Sequence, residues 1–325
     1  MVGERRVLVH QIFAIPNVSI PKDVQWGDVT HQELAQKKLD LLQKVNSLAL
    51  SQTVKLKSCG QQFKINSHFA IPKSLEALLS DEPRVHLEFN WYDCESLGMG
   101  SSEFEDESGQ DCVLFSLGEW EFSIQRDFVS AKNHHQVVLI SYSKIADGFQ
   151  NALRCYIPRL LLRMNFLVVH CSAVALNDQQ AIAFMGPSGV GKSTILSRAP
   201  NLVALHDDMN ILRIGMDHKV YIKGAELGSI LVPDLPKISK EYQLIEIYQL
   251  RQSQKNEIFE LKPADRFTLL LSNFANYFWE TLTSGEVDQL TKAAQDITNS
   301  VPISEFRNNA DVEVWEMLKV RHGLS

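Results

Sequence analysis

The chain has 325 residues, 45% of them hydrophobic and 22% charged, with a formal net charge of -7. That length predicts two domains, and the balance argues against global disorder and against a membrane-embedded chain. The acidic surplus argues against a nucleic-acid binder that works mainly by neutralising phosphates, leaving room only for a local basic patch.

In chain order, MVGERRVLVHQIFAIPNVS imitates a secretory signal, with arginines ahead of an apolar run. His10, Gln11 and Pro16 interrupt that run and no small-residue cleavage site follows, so Val7 to Ile15 is expected as a strand. Residues 31–50 place Leu34, Leu39, Leu41, Leu42, Val45 and Leu48 at helical spacing behind Thr30 as a candidate cap, which predicts one amphipathic helix. The segments QFKINSHF, RVHLEFNWY, DCVLFSLGEWEFSIQ and QVVLISYS are short, rich in β-branched and aromatic residues, and separated by Gly, Ser, Asp and Asn. They predict a mostly antiparallel β region. From Val85 to Gln125 there are ten acidic residues and no Lys or Arg, so residues 92–111 are expected as a solvated acidic loop, with a docking surface for a basic partner as the alternative.

DGFQNALRCYIPRLLLRMN, residues 147–165, predicts a helix that Pro158 kinks or divides. Its Arg154, Arg159 and Arg163 are either phosphate contacts or solvent-facing charges. The composition shifts here, which puts a domain boundary near residue 145: a β-rich domain over 1–145, a candidate for substrate recognition, and a second domain over 146–325. Next come two apolar runs, FLVVHCSAVAL and AIAFMG, joined only by NDQQ. So short a link allows antiparallel pairing and forbids a parallel crossover, which predicts a mixed sheet of an α/β (α+β) domain.

The second run leads into Gly186-Pro187-Ser188-Gly189-Val190-Gly191-Lys192-Ser193, followed by Thr194 and a short helical stretch. This fits G-x-x-x-x-G-K-[ST] at every fixed position, in a strand-loop-helix context. Glycines let successive N–H groups face phosphate oxygens at a helix N-terminus. In such a loop Lys192 bridges the β- and γ-phosphates of ATP and Ser193 ligates Mg²⁺. Fifteen residues after Lys192, NLVALHDDMNIL is expected as a buried strand delivering Asp207 and Asp208 beside the loop. Two neighbouring aspartates can divide the work, one on Mg²⁺ and the other accepting a proton from an attacking hydroxyl. An exposed Asp-Asp turn is the bland alternative. His170, among apolar neighbours, is either a satisfied core residue or a group one strand away that tunes Asp207, and His206 competes for that role.

The order of these parts, VVHCSAVAL, GPSGVGKST and LVALHDDMN, resembles the HPr kinase/phosphorylase family, serine kinases with a phosphoenolpyruvate-carboxykinase-like nucleotide fold. The resemblance extends through YQLIEIYQLRQSQKNEIFELKPADRFTLLLSN, a strand-turn-strand-helix segment, and VPISEF, a late strand, and covers roughly residues 148 to 320. It implies His170 as partner of the catalytic carboxylate, Asp207 as general base, Asp208 as a metal-associated carboxylate, and Lys192 and Ser193 on the phosphates and Mg²⁺. The chain departs from the family at Pro187 and Thr194 in the loop, and at YIKG, where Tyr221 and Lys223 stand in place of an acid and an arginine. The implied function is an ATP-dependent, Mg²⁺-requiring kinase acting on a serine of a small protein or peptide. The alternatives are a small-metabolite kinase and a nucleotide-binding scaffold without transfer chemistry. No nucleic-acid or membrane partner is expected, and a homo-oligomer is left open. Five scattered cysteines, Cys59, Cys94, Cys112, Cys155 and Cys171, none in a C-x-x-C arrangement, give neither a disulfide framework nor a zinc site and fit a reducing cytoplasm.

Overall fold

The computed structural model describes residues 15–21, 29–45, 48–76, 78–104, 113–134, 136–142, 147–199, 202–226, 240–275, 277, 282–309 and 313–323. They form a mixed α/β protein with two mixed sheets, and the chain divides into two compact units, Met1–Arg154 and Cys155–Ser325. The strand expected from Val7 lies outside the described residues as far as Ala14. Among the described residues, no helix is long and apolar enough to cross a membrane.

The first unit opens with α1 (Val29–Lys44), which buries Leu39, Leu41 and Leu42, as does the following Val45. The helix starts early enough to contain Thr30, which is therefore not its cap, and stops before Asn46 and Ser47, residues that favour turns. Its sheet comprises β1 (Gln52–Ser58), β2 (Gln61–Ser67), β3 (Leu87–Asp93), β4 (Val113–Leu117), β5 (Trp120–Ile124), β6 (Phe128–Lys132) and β7 (Gln136–Ser141), with α2 (Lys73–Glu76) and α3 (Ser101–Phe104) between strands. The order is β1-β2-β3-β7-β6-β5-β4. Pairing is antiparallel except where β3 lies parallel to both β2 and β7. Val113 to Ile124 form a β4-β5 hairpin turning at Gly118, whose φ of 62° suits glycine.

Positions 105–111 lie outside the described residues, and the described part of the acidic stretch, 92–104, differs from a plain solvated loop. It holds a 3-10 turn at Glu95–Leu97 and then α3, and buries Leu97 and Phe104 in the same core as α1. Lys38 of α1 is buried beside it, because its ammonium donates to Gln125 O (2.8 Å) and Arg126 O (2.7 Å) and sits 4.7 Å from the Phe104 ring centre.

The helix α4 (Asp147–Leu162) is continuous through Pro158. The division between units falls inside it, not at residue 145, because its first turns belong to the first unit: Phe149 stacks on Trp91 at 4.5 Å and meets Phe89 edge-on. α4 holds Arg154 and Arg159 and ends before Arg163; Arg159 forms a fork with Glu286, Nε to Oε1 at 2.8 Å and Nη2 to Oε2 at 3.1 Å.

The second unit carries β8 (Phe166–His170), β9 (Ser172–Ala175), β10 (Gln180–Met185), α5 (Lys192–Ser197), β11 (Val203–His206), β12 (Met209–Ile214), β13 (Val220–Gly224), β14 (Tyr242–Gln252), β15 (Glu257–Glu260), α6 (Pro263–Asn273), α7 (Ser284–Ser300), β16 (Ile303–Asn308) and α8 (Glu313–Arg321). The strand order is β11-β9-β10-β14-β13-β12-β8, with β16 beside β14 and β15 beside β16. β10, β14 and β16 run parallel. The expected hairpin is present as β9-β10, antiparallel.

Each of the two long apolar runs breaks into two strands. FLVVHCSAVAL divides at Cys171 and NLVALHDDMNIL divides at Asp207-Asp208. One half of each run pairs in β8-β12 and the other half in β9-β11, at opposite ends of the order, so the sheet bends back on itself at these two corners. Gly224 permits the return: a Cβ there would overlap the Leu205 carbonyl and stand 3.5 Å from His206 Cβ.

Phe184, Tyr248, Leu250 and Phe306 on one face pack with Ile195 and Leu196 of α5 and with Trp315 and Leu318 of α8. Each such buried side chain contributes about 1.5–3 kcal/mol. α7 starts with a capping box in which Thr283 Oγ1 accepts from Glu286 N and the Glu286 carboxylate accepts from Thr283 N. Burial alone would raise the Glu286 carboxyl, but hydrogen bonds from Arg159 and Thr283 outweigh it and lower the pKa to about 2 from an ordinary 4.5. A depressed carboxyl stabilises the fold above its unfolded pKa and loses that contribution as pH falls through the folded value. Melting temperature should therefore drop between pH 4.5 and about 2, and Glu286→Gln should flatten that decline in a pH series of thermal melts.

Candidate active site

Three features of the second unit meet where β8, β10 and β11 end: the loop 186–191, His170, and the corner at Asp207-Asp208. The loop leaves β10 at Gly186 (φ 148°) and passes Gly189 (77°) and Gly191 (108°) before α5. Gly186 also passes close to β14, since a Cβ there would lie 3.3 Å from Leu250 O and 3.1 Å from Val190 Cγ1. No side chain caps α5, so its first-turn N–H groups depend on backbone or ligand partners. Pro187, Ser188 and Gly189 are exposed, Val190 and Ser193 are half-buried, and Thr194 is exposed.

Lys192 is buried and folds back over the loop, donating to Gly186 O at 2.7 Å and Pro187 O at 3.1 Å. Burial draws its ammonium below the ordinary lysine value, and the nearby Asp208 carboxylate opposes that pull. The loop, its lysine and Asp208 thus share one electrostatic neighbourhood.

The Asp-Asp corner is locked by backbone and amide contacts. Cys171 N donates to Asp208 O (3.0 Å) and Ser172 Oγ to Asp207 O (2.9 Å). Asn210 Nδ2 donates to Cys171 O (2.7 Å) and His206 O (3.2 Å). Because β9 pairs both β10 and β11, this corner lies across β9 from the end of the strand that feeds the loop.

His170 and the two aspartates do not fall as the family resemblance arranges them. His170 ends β8 opposite Met209 of β12 and sets Nε2 3.1 Å from Asp208 Oδ1, not beside Asp207. Both side chains are accessible, His170 at 39% and Asp208 at 35%. Asp207 is 1% exposed at its side chain. Its Oδ1 lies 3.6 Å from His206 Nδ1, but that nitrogen already accepts Asp208 N and Met209 N, both at 3.0 Å, so it carries no proton to share. The contact is not an ion pair, and Asp207 Oδ1 is a buried oxygen with no hydrogen-bond donor. His206 thus serves the corner's backbone. The physical reason for the exchange of partners is the break in both runs, which turns Asp208 towards the end of β8.

Cys171, between His170 and Ser172, is buried, and burial pushes its thiol up to about 12, which keeps it protonated and unreactive. Cys59, Cys94, Cys155 and Cys171 take part in no disulfide, and Cys112 lies outside the described residues. Tyr221 pairs with Arg213 at the opposite end of β13 from Gly224 and donates to Asp217 Oδ2 at 2.8 Å, so this substitution does not fall beside Asp208. Gln252, Ser172, Asn210 and Trp315 also support the site. Nothing in the sequence separates them from ordinary strand and core residues.

The first unit contains a Ser-His-Asp cluster with different chemistry. His68 Nε2 lies 2.7 Å from Asp93 Oδ2 and 2.6 Å from Ser96 Oγ, while Ser96 Oγ and N both bond the same carboxylate at 2.9 Å. Serine and aspartate crowd one ring nitrogen and the buried Nδ1 has no partner, so there is no relay from carboxylate through imidazole to hydroxyl. Burial opposes ionisation of Asp93, but the bonds from His68 and Ser96 bring its pKa down to about 2, as suits a carboxylate that accepts the Ser96 N–H of the 3-10 turn.

No protein-family model matches the chain, and a search of curated proteins finds no significant match.

Proposed function

We propose that the second unit is a P-loop kinase domain of the HPr kinase and phosphoenolpyruvate-carboxykinase type, transferring the γ-phosphoryl group of ATP to a serine hydroxyl of a small protein or peptide. The observation that carries this is one neighbourhood holding a glycine loop, its inward-folded Lys192, and an accessible Asp208 paired with His170. A binding module needs the first two. An accessible carboxylate beside an imidazole adds a proton acceptor.

In this function Lys192 leaves the loop carbonyls for the β- and γ-phosphates, which the loop N–H groups also cradle. The serine oxygen attacks the γ-phosphorus, the bond to the β–γ bridging oxygen breaks, ADP leaves, and the hydroxyl proton passes to Asp208. His170 orients that carboxylate and shares the proton. Asp207, withdrawn from solvent, is poorly placed as the base that the family resemblance makes it. Its undonated Oδ1 and the Ser193 hydroxyl suit Mg²⁺ better. Among the described residues no cluster of three His, Cys, Asp or Glu could hold a metal alone, so Mg²⁺ would also depend on phosphate oxygens. Tyr221 is bound to Asp217 at the far end of β13, so it gives no support to an inert scaffold.

The first unit, with its acidic segment, is the proposed recognition element for the acceptor, in a reducing cytoplasm. The nucleotide half of the proposal is tested by calorimetric titration with Mg-ATP. Wild type should bind in the micromolar range, and Lys192→Met should bind at least ~100-fold more weakly, since it removes a desolvated charge on phosphate. Equal affinity of the two proteins would sink the assignment of the loop.

A further inference from the structure

The loop is held from behind by a residue far away in the chain. α5 has only six residues, too few to satisfy its own carbonyls. Ala199 N turns to Leu196 O, and the Ile195 carbonyl instead accepts the Trp315 indole N–H at 3.0 Å. Trp315 is 1% exposed, packs edge-on against Phe184 of β10 at 6.0 Å, and shares a core with Ile195 and Leu196. It therefore grips both the strand that enters the glycine loop and the helix that leaves it.

α8, which carries Trp315, is itself fastened to β14. Arg321 places Nε and Nη2 on the two Glu246 oxygens at 2.9 and 2.7 Å. Ser304 Oγ and Tyr248 O–H complete the buried carboxylate at 2.9 and 2.8 Å, and His322 Nε2 meets the Tyr248 oxygen at 2.9 Å. From the same strand, Gln252 Nε2 donates to Gly189 O of the loop at 3.2 Å.

We infer that Trp315 is a positioning residue for the phosphate loop, acting through its bond to the Ile195 carbonyl, so that nucleotide affinity depends on α8. This rests on the proposed nucleotide binding. An induced fit that had to build the loop geometry at binding would lower affinity by the cost of ordering it, and a preformed loop avoids that cost.

The test compares full-length wild type, Trp315→Phe and Leu318→Ala. Phenylalanine keeps an aromatic ring but removes the donor. Leu318→Ala loosens the same core without touching the bond. Affinity for Mg-ADP is measured by calorimetry well below each melting temperature, with amide exchange of the 186–199 segment followed by mass spectrometry. Trp315→Phe should weaken Mg-ADP binding roughly three- to tenfold and speed exchange in that segment alone, while Leu318→Ala lowers the melting temperature and binds as wild type does. Wild-type affinity in Trp315→Phe, an equal loss in Leu318→Ala, or faster exchange throughout the unit would overturn the inference. Wild type that fails to bind Mg-ADP would overturn the nucleotide reading and this one together.

Discussion

Asp208→Asn should lower phosphoryl transfer by about 10²–10⁴-fold, the usual contribution of a positioned general base, while leaving the fold intact. Asp208 is 35% exposed at its side chain and paired with His170. Its backbone carbonyl, which holds Cys171 N, is untouched by the change. The asparagine amide keeps the shape and can still meet the imidazole, but it accepts no proton at neutral pH. Initial rates of labelled phosphoryl transfer to the acceptor, alongside thermal melts, separate the two effects. Asp207→Asn is the informative partner variant: it alters a buried group with an undonated oxygen, so its effect should appear in Mg²⁺ dependence more than in the pH profile.

The largest loss of stability is expected from Gly224→Ala. A methyl group there would overlap the Leu205 carbonyl, and that backbone group cannot step aside. Leu205 and His206 belong to β11, paired to β9, and Gly224 itself pairs Asn210 of β12. Overpacking usually costs about 1–3 kcal/mol, and a backbone obstacle puts this case at or above the top of that range. Urea unfolding gives the value directly. Because the strain falls at the return of the sheet just behind Asp207, a variant that remains folded should also lose nucleotide affinity. Unchanged stability would mean that β11 and β13 do not approach each other as described.

Local features were legible in the sequence where one rule acts alone. The glycine pattern at 186–193 placed a loop between β10 and α5, and the four-residue link NDQQ imposed the antiparallel β9-β10 hairpin. The helix through DGFQNALRCYIPRLLL occurs where its sequence indicates, and the strand in VPISEF and the elements of 242–273 occur where the family resemblance implies them. Continuous apolar runs misled, because buried strands that break at a corner have the same composition as unbroken ones. Nothing in FLVVHCSAVAL says that Cys171 ends one strand and Ser172 begins another. That break decides which aspartate meets His170.

Tertiary partners were likewise hidden. Lys38 looks like a solvent-facing charge on α1 until Gln125 O, Arg126 O and the Phe104 ring surround it. Trp315 fits the helical core pattern of VWEMLKV, and its bond to Ile195 spans more than a hundred residues of chain. The division of the chain within α4 reflects Phe149 packing on Trp91, a contact that no local composition encodes.

For transfer to a serine, the decisive experiment uses the Asp208→Asn protein, with Mg-ATP, to capture the acceptor. The purified acceptor is then exposed to wild type and labelled ATP in a single turnover, and the product is mapped by mass spectrometry. Label is expected on one serine of the acceptor, formed by wild type and reduced at least ~100-fold with Asp208→Asn. Label released only as inorganic phosphate, or transfer to serine at equal rates by both proteins, would contradict the proposal.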